Sequence, residues 1–151
     1  MFQRLRSIWP WKAEAARKRI LEGDAPRGMR VRGLLDFSRE PIESLPENLQ
    51  AETIRDRLRQ IPSGLSCEQL ILRRSAIEEL PGDLHVTELL DAGDCRNLKE
   101  MPAICVDRLQ LDGCVRLTSL SEGLVAKSVD LTGCYRLEEL PAGFGATTRS
   151  L

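Results

Sequence analysis

A short repeat near the end of the chain constrains its fold more than any other feature. The stretch Leu109–Leu120 reads LQLDGCVRLTSL, and the stretch Val129–Leu140 reads VDLTGCYRLEEL. Both fit the pattern L-x-L-x-G-C-x-x-L-x-x-L, with valine replacing the first leucine in the second copy, and the pattern returns after 20 residues. Self-similarity at a fixed period is the sequence signature of a solenoid, in which successive coils of the chain stack on one another.

The spacing within each repeat predicts how one coil is built. Apolar and polar residues alternate at its start, which predicts a short strand with one buried face. One coil cannot bury its apolar side alone, whereas stacked coils cover one another. The sequence therefore predicts an α/β solenoid with a parallel β-sheet on the concave side. The short period leaves room mainly for loop or 3₁₀ segments on the convex side, with helix at the N-terminus.

The repeat resembles the leucine-rich-repeat family, whose consensus is L-x-x-L-x-L-x-x-N/C-x-L. Its G-C-x-x-L-x-x-L-P form is similar to the short repeats of bacterial members. The resemblance covers roughly Pro26 to Phe144 and implies about six repeats. It implies a protein–protein interaction module that is not an enzyme and needs no cofactor. The alternative is the substrate-recognition portion of a larger bacterial effector or enzyme whose catalytic domain is absent from this chain.

Residues 1–30 are predicted to form a helical N-terminal cap, and residues 31–151 the repeat solenoid. Apolar residues in 1–11 follow helical spacing, and the stretch 12–22, KAEAARKRILE, contains strong helix formers that Gly23 is placed to end. Such a helix would cover the apolar flank of the first coil. A basic amphipathic segment at 1–11 lying on a membrane surface is the alternative interpretation.

The repeat near residues 46–58 departs from the pattern. Its ending, Leu58-Arg-Gln-Ile61-Pro62, is regular, but its strand is predicted to be missing, because the expected leucines are absent and only Ile54 is suited to point inward. Three to five residues are absent relative to neighbouring repeats. We expect a distorted coil that opens before the rest of the sheet, because local stability follows local burial and pairing.

Charge divides the chain into a basic head and an acidic body. Residues 1–32 carry nine Lys/Arg and three Asp/Glu, whereas residues 33–151 carry thirteen and twenty. An acidic body argues against a nucleic-acid partner. The chain has no apolar run of the roughly 18 residues that a membrane span needs, and residues 1–11 lack the core of a secretory signal. We predict a cytoplasmic protein, while secretion as an effector without a readable signal stays open.

Cys95, Cys114 and Cys134 share one slot in successive coils. We interpret them as a ladder of buried, reduced thiols, because free cysteine behaves as a small hydrophobe and an odd total of five does not suggest a disulfide framework. No metal site is predicted. Cys105-Val-Asp107 matches the catalytic Cys-x-Asp of some bacterial effectors with similar repeats, but Cys105 is expected at a core position of a return segment.

The candidate binding surface follows from the same alternation. If the repeat leucines point inward, their neighbours point outward on the concave face. Apolar residues at outward positions suggest a contact site, and the aspartates around them favour a protein partner with a basic surface. The sequence leaves the oligomeric state open. The predicted partner-binding residues are Leu34, Asp36, Ile71, Arg73, Leu89, Asp91, Gln110, Asp112 and Asp130.

Overall fold

A computed structural model describes residues 10–39, 45–55 and 59–144 as a parallel β-solenoid of about six turns with one helix. The predicted parallel solenoid is confirmed. In chain order the elements are β1 (Trp11–Lys12), α1 (Ala13–Leu21), β2 (Arg30–Asp36), β3 (Gln50–Arg55), β4 (Ser66–Ile71), β5 (His85–Asp91), β6 (Glu100–Met101), β7 (Cys105–Gln110), β8 (Ser119–Leu120) and β9 (Val125–Asp130).

Seven of these strands form one parallel sheet in the order β1-β2-β3-β4-β5-β7-β9. The residues that the repeat predicts to be buried line the inner side of this sheet. In β7 and just beyond it, Val106, Leu109 and Leu111 are at most 2% exposed. Asp107 and Arg108, between the first two, both face outward, so that the strand departs from strict alternation. The outward side chains of this sheet are called the sheet face below.

The expectation that the strand of the 46–58 repeat is missing is wrong. β3 pairs with β2 on one side and with β4 on the other, and it buries Ala51 as well as Ile54. The missing residues fall after the strand: Ile61 follows Ile54 by seven residues, whereas Leu80 follows Leu70 by ten. Leu58 lies outside the described residues. A strand with few apolar side chains forms here because both neighbouring strands present backbone groups that need partners.

The N-terminal helix is confirmed over Ala13–Leu21, and Gly23 follows it with φ +71°. Its buried Ala16 and Ile20 belong to the same core as the strands. Trp11 lies in β1, directly before the helix, and pairs with Val31 of β2. The Arg19 guanidinium lies 5.4 Å from the centroid of a Trp11 ring. The amphipathic segment proposed for 1–11 otherwise lies outside the described residues.

Of the loop and 3₁₀ segments predicted between strands, the described part of the chain has turns and loops and no 3₁₀ helix. The short strands β6 and β8 form a second parallel pair there. The prediction that Cys105 occupies a core position is wrong, because Cys105 is exposed at the start of β7. A tighter turn, in which the Ile104 N–H donates to the Pro102 carbonyl at 2.9 Å, places Ile104 in the core position instead.

Candidate functional site

Register alignment brings the predicted binding residues onto one surface. Two outward rows run from β2 to β9 across the sheet face, two residues apart along each strand, with one buried residue between them. The first row is Leu34, Thr53, Gln69, Leu89, Arg108 and Ser128; the second is Asp36, Arg55, Ile71, Asp91, Gln110 and Asp130. The sequence predicted these rows except for Thr53 and Arg55, which belong to the strand that it missed.

Three apolar side chains interrupt these two otherwise polar rows. Leu34 is 46% exposed, and Ile71 and Leu89 are partly exposed. Ile71 and Leu89 lie on the adjacent strands β4 and β5, offset by two residues in register, whereas Leu34 lies two strands away from Ile71 on β2. The fold does not require apolar residues at outward positions, because the same rows accept threonine, glutamine and serine in other coils.

Arg73, just beyond β4, joins carboxylates from two further coils. Its guanidinium donates to Asp112 twice, from Nη2 to Oδ1 at 2.8 Å and from Nη1 to Oδ2 at 3.1 Å. Its Nε donates to Asp91 Oδ2 at 3.2 Å, and Nη1 lies 3.6 Å from Asp94 Oδ2. Hydrogen bonds to Asp112 and, to a smaller extent, to Asp91 raise the pKa of Arg73 above its ordinary value. Bidentate arginine–carboxylate pairs are strong and geometrically specific, so this network ties three successive coils together.

Gly93 makes room for this network. Backbone hydrogen bonds, from Arg74 N–H to the Gly93 carbonyl at 3.0 Å and from Asp94 N–H to the Asp112 carbonyl at 2.7 Å, stack the three turns. Gly93 therefore lies between Arg73 and Asp112, and an added Cβ atom would overlap the Arg73 guanidinium. Its φ lies outside the left-handed range that favours glycine. The position needs a residue without a side chain, and not an unusual backbone conformation.

Asp36 and Asp130 each close a turn at the end of a strand. The Ser38 N–H donates to Asp36 Oδ1 at 2.9 Å, and the Thr132 N–H donates to Asp130 Oδ1 at 2.9 Å. Hydrogen bonds from the side chain and backbone of these partners lower the pKa of both aspartates. Asp36 also lies 3.5 Å from the Arg55 guanidinium. The predicted aspartates therefore have structural partners, and fewer of them are free for a basic partner than the sequence suggests.

Besides Thr53, two charged residues of this surface were not predicted from the sequence. Asp94 belongs to the Arg73 network, and Arg55 pairs with Asp36. Asp94 could have been predicted from the sequence, because it directly follows Gly93 in a turn next to the predicted outward residue Asp91. No comparable signal existed for Arg55, because its strand lacks the repeat leucines.

The three repeated cysteines form a hydrogen-bonded ladder. Each thiol donates to a carbonyl of the preceding coil: Cys95 to Leu72 at 3.1 Å, Cys114 to Ala92 at 3.0 Å and Cys134 to Leu111 at 3.1 Å. Cys95 and Cys114 are fully buried, while Cys134 is partly exposed. Burial raises the pKa of all three, to about 12 for Cys114. The ladder therefore holds protonated thiols that serve as hydrogen-bond donors.

Other candidate chemistries find no matching geometry in the described ranges. No group of three or more His, Cys, Asp or Glu side chains there is arranged to hold a metal ion. His85 is exposed at the start of β5. Within the same ranges, every helix is too short or too polar to cross a membrane. The chain matched no family model, no curated protein and no solved structure in the comparisons.

Proposed function

We propose that this chain is a leucine-rich-repeat solenoid that binds a protein partner on the concave face of its main sheet. The family assignment is supported by the thiol ladder. Cys95, Cys114 and Cys134 fall on the Asn/Cys position of the family consensus, and each donates a hydrogen bond to the preceding coil. In this proposal α1 is the N-terminal cap, because its buried side chains cover the core beside the first strands.

The observation that carries the binding function is the exposed Leu34. It is 46% exposed on a sheet face where its register partner in the next strand is Thr53. Leu89 and Ile71 add partly exposed apolar area further along the same face. Apolar side chains surrounded by a polar rim are typical of contact sites on protein surfaces. We therefore assign the anchoring role to these three aliphatic residues.

The charges of the sheet face define the expected rim. Arg73 already compensates Asp91 and Asp112, so these two carboxylates would hold the coils rather than a partner. Gln110 and Asp130 remain at outward positions, with Asp130 exposed at the last strand. A partner surface with an apolar centre and a few basic groups at its edge would complement this arrangement.

Substitution on the sheet face tests the proposal. Wild-type protein immobilised on beads should retain a defined set of proteins from lysate of the source cells. Leu34→Asp, and independently Leu89→Asp, should lose that set, because a buried anchor would then carry an unpaired charge. Glu78→Ala and Glu138→Ala, in the return segments, serve as controls and should retain it. Circular dichroism must show that each variant is folded.

Two results would contradict the assignment. Retention of the same proteins in the same amounts by both leucine variants would move the site away from the sheet face. Equal loss in the glutamate controls would show that the retained proteins bind the chain without a defined site.

A further inference from the structure

Stacked β-turns form a second repeated surface, away from the sheet face. In each turn a leucine N–H donates to the carbonyl of the ladder cysteine three residues earlier, at 3.1, 3.1 and 3.2 Å. Two residues lie at the corner of each turn, outside the core. These corner residues, called the turn edge below, are Arg96 and Asn97, Val115 and Arg116, and Tyr135 and Arg136.

The turn edge carries three arginines that form no ion pair within the described part of the chain. Arg96, Arg116 and Arg136 are exposed, and none of them forms an ion pair or side-chain hydrogen bond with another residue in the described ranges. Arg116 and Arg136 occupy the same slot of successive turns, which are about 4.8 Å apart in a parallel stack. Like charges at that distance repel one another and create a local positive potential. Arg73, in contrast, is surrounded by three carboxylates.

Exposed apolar side chains accompany these arginines. Tyr135 is 86% exposed and Val115 is 37% exposed, and both occupy the slot next to the ladder cysteine. Tyrosine and arginine are the residue types that most often dominate binding energy in protein interfaces. A highly exposed tyrosine next to an arginine, with a second arginine in the neighbouring turn, is therefore a composition suited to contact with another molecule.

We propose that the turn edge binds an acidic protein segment in which an aromatic or aliphatic residue stands beside carboxylates. Arg96, Arg116 and Arg136 would pair with the carboxylates, and Tyr135 with Val115 would contact the apolar residue. Two coil steps span about 10 Å, the length of about three residues of an extended peptide. A long polyanion such as nucleic acid fits less well, because residues 33–151 carry thirteen basic and twenty acidic residues.

Fluorescence anisotropy with a labelled peptide of glutamate interrupted by phenylalanine tests this inference on the full chain. At low ionic strength the wild-type protein should bind the peptide, and added salt should weaken binding. The double variant Arg116→Glu/Arg136→Glu should bind at least about tenfold more weakly, since two attractions become repulsions. Arg30→Glu/Arg108→Glu, with the same change in net charge on exposed sheet-face positions, should bind within about twofold of wild type.

The apolar contact of Tyr135 with the peptide is tested separately. Tyr135→Ser should weaken binding of the phenylalanine peptide severalfold, while binding of a matched peptide with serine in place of phenylalanine should not change. Leu34→Asp, which tests the sheet face, should leave peptide binding intact, so that the two proposals fail independently.

Three outcomes would overturn the inference. The first is absence of binding by the wild-type chain at low ionic strength. The second is an equal loss of affinity in the two double variants, which would reduce the effect to net charge. The third is tighter binding of a single-stranded oligonucleotide of equal charge than of the peptide, which would identify a different class of partner.

Discussion

Replacing Gly93 by alanine tests whether the Arg73 network stabilises the solenoid. The added Cβ would displace the guanidinium from Asp112. A hydrogen bond to a charged group contributes about 1.5–3 kcal/mol, but the Arg73 and Asp112 side chains are 36% and 29% exposed. Solvent reduces the contribution of exposed ion pairs to about 0.2–1 kcal/mol. We therefore assign the bidentate pair an intermediate contribution of about 1–2 kcal/mol to the free energy of unfolding.

The same substitution has an opposing effect on the unfolded chain. Where the backbone conformation suits alanine, Gly→Ala stabilises a protein by about 0.4–1 kcal/mol, because the unfolded state loses entropy. The φ of Gly93 is compatible with alanine. In the wild-type background Gly93→Ala should therefore destabilise by about 1 kcal/mol. In an Arg73→Ala background the added Cβ meets only the end of the Asp112 side chain, which can turn aside once the guanidinium is gone. There Gly93→Ala should be close to neutral or stabilise by up to about 0.5 kcal/mol.

Urea unfolding followed by far-ultraviolet circular dichroism measures the four proteins of this double-mutant cycle. Gly82→Ala is the matched control, because Gly82 has no positive φ and no atom within 4 Å of an added Cβ. It should be neutral or mildly stabilising in both backgrounds. Equal destabilisation by Gly93→Ala with and without Arg73 would show that the Arg73 network does not stabilise the solenoid, as would stabilisation of the wild-type protein by the same substitution.

Three further predictions follow from the thiol ladder and the turn aspartates. Cys114→Ala removes one of the hydrogen bonds accepted by the Ala92 carbonyl and should cost about 1–2 kcal/mol, whereas Cys114→Ser restores a donor and should cost less in urea unfolding. Because burial raises the pKa of Cys114 to about 12, a thiol reagent at mildly alkaline pH should modify exposed Cys105 first, and rapid labelling of both would contradict this burial. Hydrogen bonds from Thr132 lower the pKa of Asp130 in the folded protein. The stability that Asp130 contributes is therefore present above its unfolded pKa of about 3.9 and is lost as pH falls through its folded pKa. Asp130→Asn should flatten this pH dependence of stability in acid titrations, and an unchanged profile would contradict the assignment.

Apolar periodicity is sufficient to specify the repeating architecture of the chain. Apolar alternation and the returning leucines specify which side chains must be buried, and only stacked coils bury them. The slots of Leu109, Cys114 and Leu117 could be assigned for that reason, and all three are fully or almost fully buried. The outward rows could also be aligned, because a parallel sheet places equivalent repeat positions side by side.

The departures from the repeat pattern depend on contacts that form only in the folded stack. β3 forms without the expected leucines because β2 and β4 both offer backbone hydrogen bonds to it, and this requirement is not written in its own side chains. Ile104 replaces Cys105 in the core because one turn is a residue tighter. The Arg73–Asp112 pair joins residues 39 positions apart, and it exists because stacking brings the two turns together across Gly93. Periodicity encodes contacts between equivalent positions, whereas contacts that skip a coil depend on the shape of the intervening residue in the folded stack.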